Sequence, residues 1–445
     1  MKIFSLFLLL SAVPASAMDL SAAVEAAVSR SPASAEAKAR RTQAQAEGRE
    51  AYWSRWPRLS AHSAILRSDD PLFVFGALMQ QRRVAASDFA PDTLNRPGYR
   101  TAMHGSLELG VPLFTGFELT RTSKLAALAE DEAQLSGAAA AQAVCLRTTE
   151  AYLRELRIRA FLSELDARIA TARSSIDGAE RLKKQGLVLG SDHQAALAVL
   201  SGLKAWRSRA AAEREATRAE LGVLLGGTAP EIVGGLRDWN PPIEDDATLV
   251  AAALASRPDL KAAGVRTRAA GVRRDGARSG LFPIVDAFAS VNNSAGGLNS
   301  GAASRLLGVR ASMLFGDPAY SSRRTRAAAD EAAAVAAAAG AEDSARGEVL
   351  ARAAGLRGLG ASLPDLSEAL ARARDSLEQA RPLYREGRQS VLDVLRAEEA
   401  VARLQEARLE AVYHQRVEWA ALRAAQGRLD ADAVAVLNGS LEQSR

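Results

Sequence analysis

The sequence predicts a mainly α-helical chain with a small membrane-type β part, written as two internal repeats. Three observations point there. First, hydrophobic residues make up 48% of the 445 residues but aromatics only 5%, with charged residues at 24%. Alanine-rich usage of this kind favours long helices packed through small side chains. Second, four short runs alternate apolar and polar residues, among stretches with helical periodicity. Third, two segments resemble each other: LKKQGLVLGSDHQAALAVLSGL (Leu182–Leu203) and YREGRQSVLDVLRAEEAVARL (Tyr384–Leu404). Gly387 follows Gly186 by 201 residues, Asp393 follows Asp192 by 201, and Arg323 follows Arg121 by 202. A repeat of this size outranks local motifs as a guide to fold.

The elements follow in order. MKIFSLFLLLSAVPASA has a basic start, a short apolar run and Ala15-Ser16-Ala17, so residues 1–17 read as a secretory signal peptide. No cysteine follows the cleavage site to carry a lipid anchor. The first repeat is expected over 18–230. Helix runs from Asp19, an N-cap, to about Trp56, where Pro57 stops it. Strands are expected at about 57–67 and 104–114, with a turn-rich connection containing DPLFVFG and DFAPDTLNRPG between them. Pro112 argues against a central soluble strand and suits a strand end or barrel rim. Helix resumes near Phe117 and runs to about Leu225, with GGTAP breaking it. A linker, VGGLRDWNPPIEDD, is expected within 231–246.

The second repeat, 247–430, has the same order. Helix precedes strands at about 283–293 and 305–315, with NNSAGGLNSG as the loop between them. Long helix follows, with breaks expected near Gly360 and Gly387, and 431–445 is expected as a C-terminal tail.

Strands of about 9–11 residues with strict alternation suit a membrane β-strand, with one face to lipid and one to a lumen. The lumen face would carry Arg58, Ser60, His62, Glu108, Asp286 and Arg310. Four strands cannot close a barrel, and open edges are not tolerated in lipid. A membrane reading therefore requires several chains to share one barrel. The alternative is a small soluble sheet capping a helical bundle.

Other function classes fit poorly. The four histidines, His62, His104, His193 and His414, lie far apart in no metal-ligand spacing, and no metal site is expected. No P-loop or glycine-rich nucleotide loop is present, so neither a cofactor nor an enzymatic activity is expected. The net charge of +5 is spread over helix faces where Arg sits beside Asp and Glu, which reads as solvated surface rather than a nucleic-acid site. The single cysteine, Cys145, reads as a small buried apolar residue.

The chain resembles the TolC-type outer-membrane efflux family. The likeness rests on the duplicated helix–strand–strand–helix order, GVPLFTG before the long helix, ASRPDLKAA before the second strand pair, and YREGRQSVLDVLRAEEAVARLQEARL. It implies a TolC-like homotrimer in which each chain gives four strands to a shared twelve-stranded barrel, with the helices forming a long periplasmic tube. It implies outer-membrane lipid around the barrel, a periplasmic adaptor (membrane fusion protein) and an inner-membrane transporter of RND, ABC or MFS type. The implied function is the exit channel of a tripartite efflux system for drugs, metals or metabolites. Type I protein secretion and a pore-free periplasmic coiled-coil scaffold are the alternatives.

The resemblance also assigns residues. Gly186, Leu187, Gly387 and Arg388 match the helix-to-helix turns where an adaptor docks. Asp192 and Asp393 match aspartates of the periplasmic constriction, and Tyr384 a tyrosine that links neighbouring helices shut. Two positions depart from the family's pattern: Gln389 stands where the prototype has a gate arginine, and Arg396 where it has a second aspartate. The plainer roles are helix starts: Asp192 as an N-cap after Ser191, and Asp393 as a first-turn acid favoured by the helix dipole.

Overall fold

The computed structural model describes residues 18–184, 189–297, 300–386 and 388–441. The expected signal peptide lies outside them. The elements run α1 (Leu20–Arg30), α2 (Pro32–Trp53), β1 (Arg58–Ser68), α3 (Pro71–Gln80), α4 (Pro91–Asn95), β2 (Arg100–Thr115), α5 (Glu118–Lys184), α6 (Gly190–Leu225), α7 (Asp246–Ser256), α8 (Pro258–Gly276), β3 (Ile284–Gly297), β4 (Ser300–Ser312), α9 (Tyr320–Arg385), α10 (Val391–Ala425) and α11 (Ala431–Gly439). Single 3-10 turns occupy Ala86–Phe89 and Ser279–Leu281. The duplication is visible in helix lengths: α5 and α6 have 67 and 36 residues, α9 and α10 have 66 and 35.

The chain divides into two compact units. One holds the residues up to Arg40, Ala133–Ala263 and those from Ala338 onward; the other holds Arg41–Glu132 and Gly264–Ala337.

The first unit is helical. Leu20 and Ala27 of α1, Tyr152 and Leu156 of α5, Leu221 of α6, Leu356 of α9, Trp419 of α10 and Leu437 of α11 share one core. Asp19 caps α1 by accepting the Ala22 amide at 2.8 Å, as its place before Leu20 predicts. The linker after α6 is pinned by buried polar groups. The Tyr152 hydroxyl donates to the Val233 carbonyl at 2.6 Å, and Arg159 donates to the carbonyls of Ile232 (2.7 Å) and Gly234.

Arg416 is fully buried, and among the described residues it forms no ion pair. It donates to the carbonyls of Arg237 (2.8 Å) and Ser440 (2.9 Å) and stacks over the Trp239 ring at 5.4 Å. Burial pushes its pKa down to about 10, helped by Arg237 nearby, so it stays charged at neutral pH. Cys145 is buried beside this core, and burial holds its thiol up at about 11, far from a reactive thiolate.

The second unit is built on one antiparallel sheet in the order β1-β2-β3-β4. The register sets Arg58 opposite Gly110, His62 opposite Ser106, Leu107 opposite Val291 and Asp286 opposite Arg310. Even-numbered residues therefore share one face and odd-numbered residues the other, up to Pro112. There the register shifts, and Phe114 pairs with Val285. A proline has no N–H for the ladder, so a bulge at this point relieves the pairing. Gly116 and Gly316 take positive φ, +59° and +84°, where each strand pair hands over to its long helix. A side chain at Gly116 would also crowd the Ser279 carbonyl at 3.1 Å.

Several expectations need correction. The first helix is two, because Pro32 has no N–H to continue α1 and restarts the chain as α2. The connection after β1 is partly helical: Asp70 caps α3 by accepting the Phe73 amide at 2.8 Å. β4 starts at Ser300 and ends at Ser312 rather than spanning 305–315, because pairing with β3 reaches Gly297 opposite Ser300. The small Ser, Ala and Gly residues there put no bulk against the ladder. No break occurs near Gly360: α9 passes through both Gly360 and Pro364. Gly360 is the residue whose carbonyl Pro364 leaves without its usual helical donor. The expected C-terminal tail contains α11, capped by Asp430 and anchored by buried Val434 and Leu437.

Candidate functional site

The residues singled out by the sequence fall into two groups, one in each unit. In the sheet unit, the register brings Arg58, His62, Glu108, Asp286 and Arg310 to the even face. Ser60, Ser106, Ser290 and Asn292 join them there. Arg310 lies over the Phe288 ring at 5.3 Å, and only a glycine at 308 leaves that ring room, since a Cβ would come within 2.9 Å of it. The odd face is apolar and open: Leu59 is 71% exposed, Leu307 82% and Val309 65%. An apolar sheet face left this open calls for a covering that is not water.

One end of the sheet carries aromatics. Tyr52, Trp53 and Trp56 pack edge-on or tilted against one another just before β1, and Phe117 meets Phe114 and Phe282 beside the starts of α5 and β3. Exposed aromatics flanking an apolar band mark a membrane–water boundary. Among the described residues no helix is long and apolar enough to cross a membrane. β1 and β4 are the outer strands of the four, and each has one unpaired edge within the single chain.

In the helical unit, the second group lies where α6 and α10 begin. Ser390 is the N-cap of α10, accepting the Leu392 amide at 3.1 Å, while Asp393 accepts the Ser390 amide at 3.4 Å. This reciprocal cap gives Asp393 a local structural role. Asp192 is not an N-cap: that position belongs to Leu189, which has no capping side chain, and Asp192 sits in the first turn. Its carboxylate meets the Ser390 hydroxyl at 3.5 Å, so the starts of α6 and α10 touch.

Tyr384 donates to the Ser175 carbonyl of α5 at 3.2 Å, and burial raises its pKa above the usual tyrosine value despite nearby Arg181. Arg388 and Gln389 both donate backbone amides to the Leu383 carbonyl, at 2.8 and 3.3 Å, and their side chains are exposed. Arg396 is exposed one turn after Asp393, but among the described residues no ion pair joins the two. Gly186, Leu187 and Gly387 lie outside the described residues.

Sequence reasoning missed the most buried charge in this region. Glu398 is fully buried and accepts from Arg381 at 2.7 Å and Arg168 at 3.1 Å. Arg168 also holds Glu164 at 2.6 Å. Burial works against the charged guanidinium, but its hydrogen bonds to Glu164 and Glu398 outweigh that, and its pKa rises. α10 is thereby fixed to α5 and α9 by one carboxylate. Arg157, also buried, does the same further along, bonded to Glu213 of α6 and to Glu410 of α10 at 2.6 Å. Removing the fully buried Glu398 from its arginines costs about 3–5 kcal/mol, whereas Glu213 and Glu410 are partly exposed and count for less.

A four-stranded sheet with one polar and one exposed apolar face, in a chain with a duplicated set of long helices, is the pattern that comparisons with known proteins find in outer-membrane channels. Residues 249–428 match the outer membrane efflux protein family. The fold matches the CmeC outer membrane channel of Campylobacter jejuni with a TM-score of 0.78 at 15% identity, over 95% of this chain and 90% of that one. It matches the outer membrane protein VceC of Vibrio cholerae with a TM-score of 0.75 at 21% identity, over 92% and 96%. It matches the open state of the MtrE outer membrane channel of Neisseria gonorrhoeae with a TM-score of 0.75 at 18% identity, over 93% and 90%. No curated protein matches the sequence. The resemblance to TolC-type outer-membrane efflux proteins is borne out, and the TolC-like fold extends through both repeats. This is a family of channels and not of enzymes.

Proposed function

We propose that the protein is the outer-membrane exit channel of a tripartite efflux system, passing small molecules across the periplasm and the outer membrane. The observation that carries this reading is the division of the sheet into an exposed apolar face and a polar face bearing Arg58, His62, Glu108, Asp286 and Arg310. Lipid would cover the first face and water in a pore would wet the second.

The open edges of β1 and β4 support a trimer. Three copies pair these edges around an axis, giving twelve strands and leaving no unpaired backbone in lipid. The starts of α6 and α10 then form the periplasmic end. Three copies of Asp192 and Asp393 make an acidic constriction there, which favours cations. Arg396, one turn after Asp393, offsets part of its negative charge, and Gln389 adds no charge. The segments carrying Gly186, Leu187, Gly387 and Arg388 receive the periplasmic adaptor, and an inner-membrane transporter supplies the energy.

The test is purification followed by planar-bilayer recording. The mature protein should require detergent, run as a trimer and form channels. Asp393→Ala should raise leak conductance or lower cation selectivity. A detergent-free soluble monomer sinks the channel reading; unchanged conductance and selectivity in the variant removes Asp393 from the constriction.

A further inference from the structure

Two of the four histidines meet on the sheet although 42 residues separate them in the chain (104 − 62). His62 pairs with Ser106 and His104 with Ala64, so the two are diagonal neighbours on the even face. That relation places their Cα atoms roughly 7–8 Å apart, within joint reach of one ion. Both line a cavity of about 470 Å³, and Met79, at the end of α3, lines it too. Met79 is 58% exposed, and an unbranched thioether chain of this kind has three rotatable bonds.

The charge of the cavity selects among ions. No carboxylate lines it, which disfavours Ca²⁺ and Mg²⁺. Its one charged side chain is the Arg82 guanidinium, which donates to the Ala303 carbonyl at 3.1 Å. A dication beside that guanidinium would have no anionic ligand. Met79 is the one sulfur-bearing side chain lining the cavity and the candidate for a third ligand. Imidazole and thioether together suit a soft ion of low charge.

We propose that His62, His104 and Met79 form a site for a soft monovalent d¹⁰ cation, Cu(I) or its analogue Ag(I). As a stopping point for an ion in transit, the site rests on the channel reading above. Its capacity to bind the ion does not.

The test is calorimetric titration of detergent-solubilised protein with Ag(I), in a Cys145→Ala background that removes the one thiol. About one ion per chain should bind. Affinity should fall at least tenfold in His62→Ala/His104→Ala and measurably in Met79→Leu, with Zn(II) binding more weakly than Ag(I). X-ray absorption of the Ag(I)-loaded Cys145→Ala protein should show nitrogen and sulfur neighbours without any folding-sensitive variant. Undiminished Ag(I) affinity in the double histidine variant, tighter Zn(II) binding, or an all-oxygen shell overturns the proposal. Bilayer recording separates the two readings: binding without conductance defeats the channel and keeps the site, and conductance without histidine-dependent binding does the reverse.

Discussion

At the spacing of 201 residues that relates Asp192 to Asp393, the first repeat has Leu189, Leu197 and Ala205 where the second has Ser390, Glu398 and Glu406. The helices compared are nearly equal in length, so the contrast lies in side chains and not in architecture. α6 begins with no side-chain cap and packs Leu197 against an apolar cluster. α10 begins with a reciprocal cap and buries a carboxylate between two arginines. An apolar contact is tolerant of sliding, whereas a buried ion pair is satisfied in one geometry. At these matched positions α10 is held by charge and α6 by apolar packing, although further along α6 Arg214 pairs with the buried Glu155 of α5.

The largest effect should come from making the second repeat like the first at its centre. Glu398→Leu leaves Arg381 with no buried partner and Arg168 with Glu164 alone. It should cost about 3–5 kcal/mol, read as a fall in Tm by circular dichroism. A loss below about 1 kcal/mol would show that the arginines find other partners and that the contrast is not energetic.

Ser390→Ala comes next. Losing the cap should cost about 1 kcal/mol, whereas Leu189→Ala, with no capping side chain to lose, should shift stability by less than half as much. Equal losses would mean that both helix starts depend on packing alone.

Smallest is Glu406→Gln. Burial holds the Glu406 carboxyl above the usual glutamate range, and Glu410 and Glu213 add to this against the opposing effects of Trp206 and Arg157. A raised carboxyl pKa contributes stability at pH values below the unfolded value, and that contribution is lost as pH rises through the folded value. The glutamine variant should therefore melt higher than the parent at pH 7–8, with the difference shrinking as the pH falls toward 4. A difference independent of pH would assign the effect to packing.

The strands were legible because period-2 alternation survives in membrane sheets, and the faces of Arg58, His62, Glu108, Asp286 and Arg310 follow from it directly. Their register was not legible, since it depends on pairings across 32 to 192 residues and on a bulge at Pro112. That is why two histidines dismissed for their spacing turn out to be neighbours. Glu398 was invisible for a different reason: a glutamate on an Ala-rich helix reads as solvent-facing, and only the packing of α5 and α9 shows that it is enclosed. The break expected near Gly360 failed because glycine is a weak helix breaker, and even with Pro364 a helix held on both sides continues through the lost hydrogen bond.

The free edges of β1 and β4 tie this fold to mass action. A chain alone cannot pair the outer edges of its own sheet, so any further ladder bonds must come from another molecule. If they form among identical copies, the stability of the sheet rises with protein concentration, and a melting temperature quoted without that concentration describes only half of the equilibrium. Dilution would then act on the sheet as a denaturant, while the helical core around Tyr152 and Arg416, closed within one chain, would not feel it.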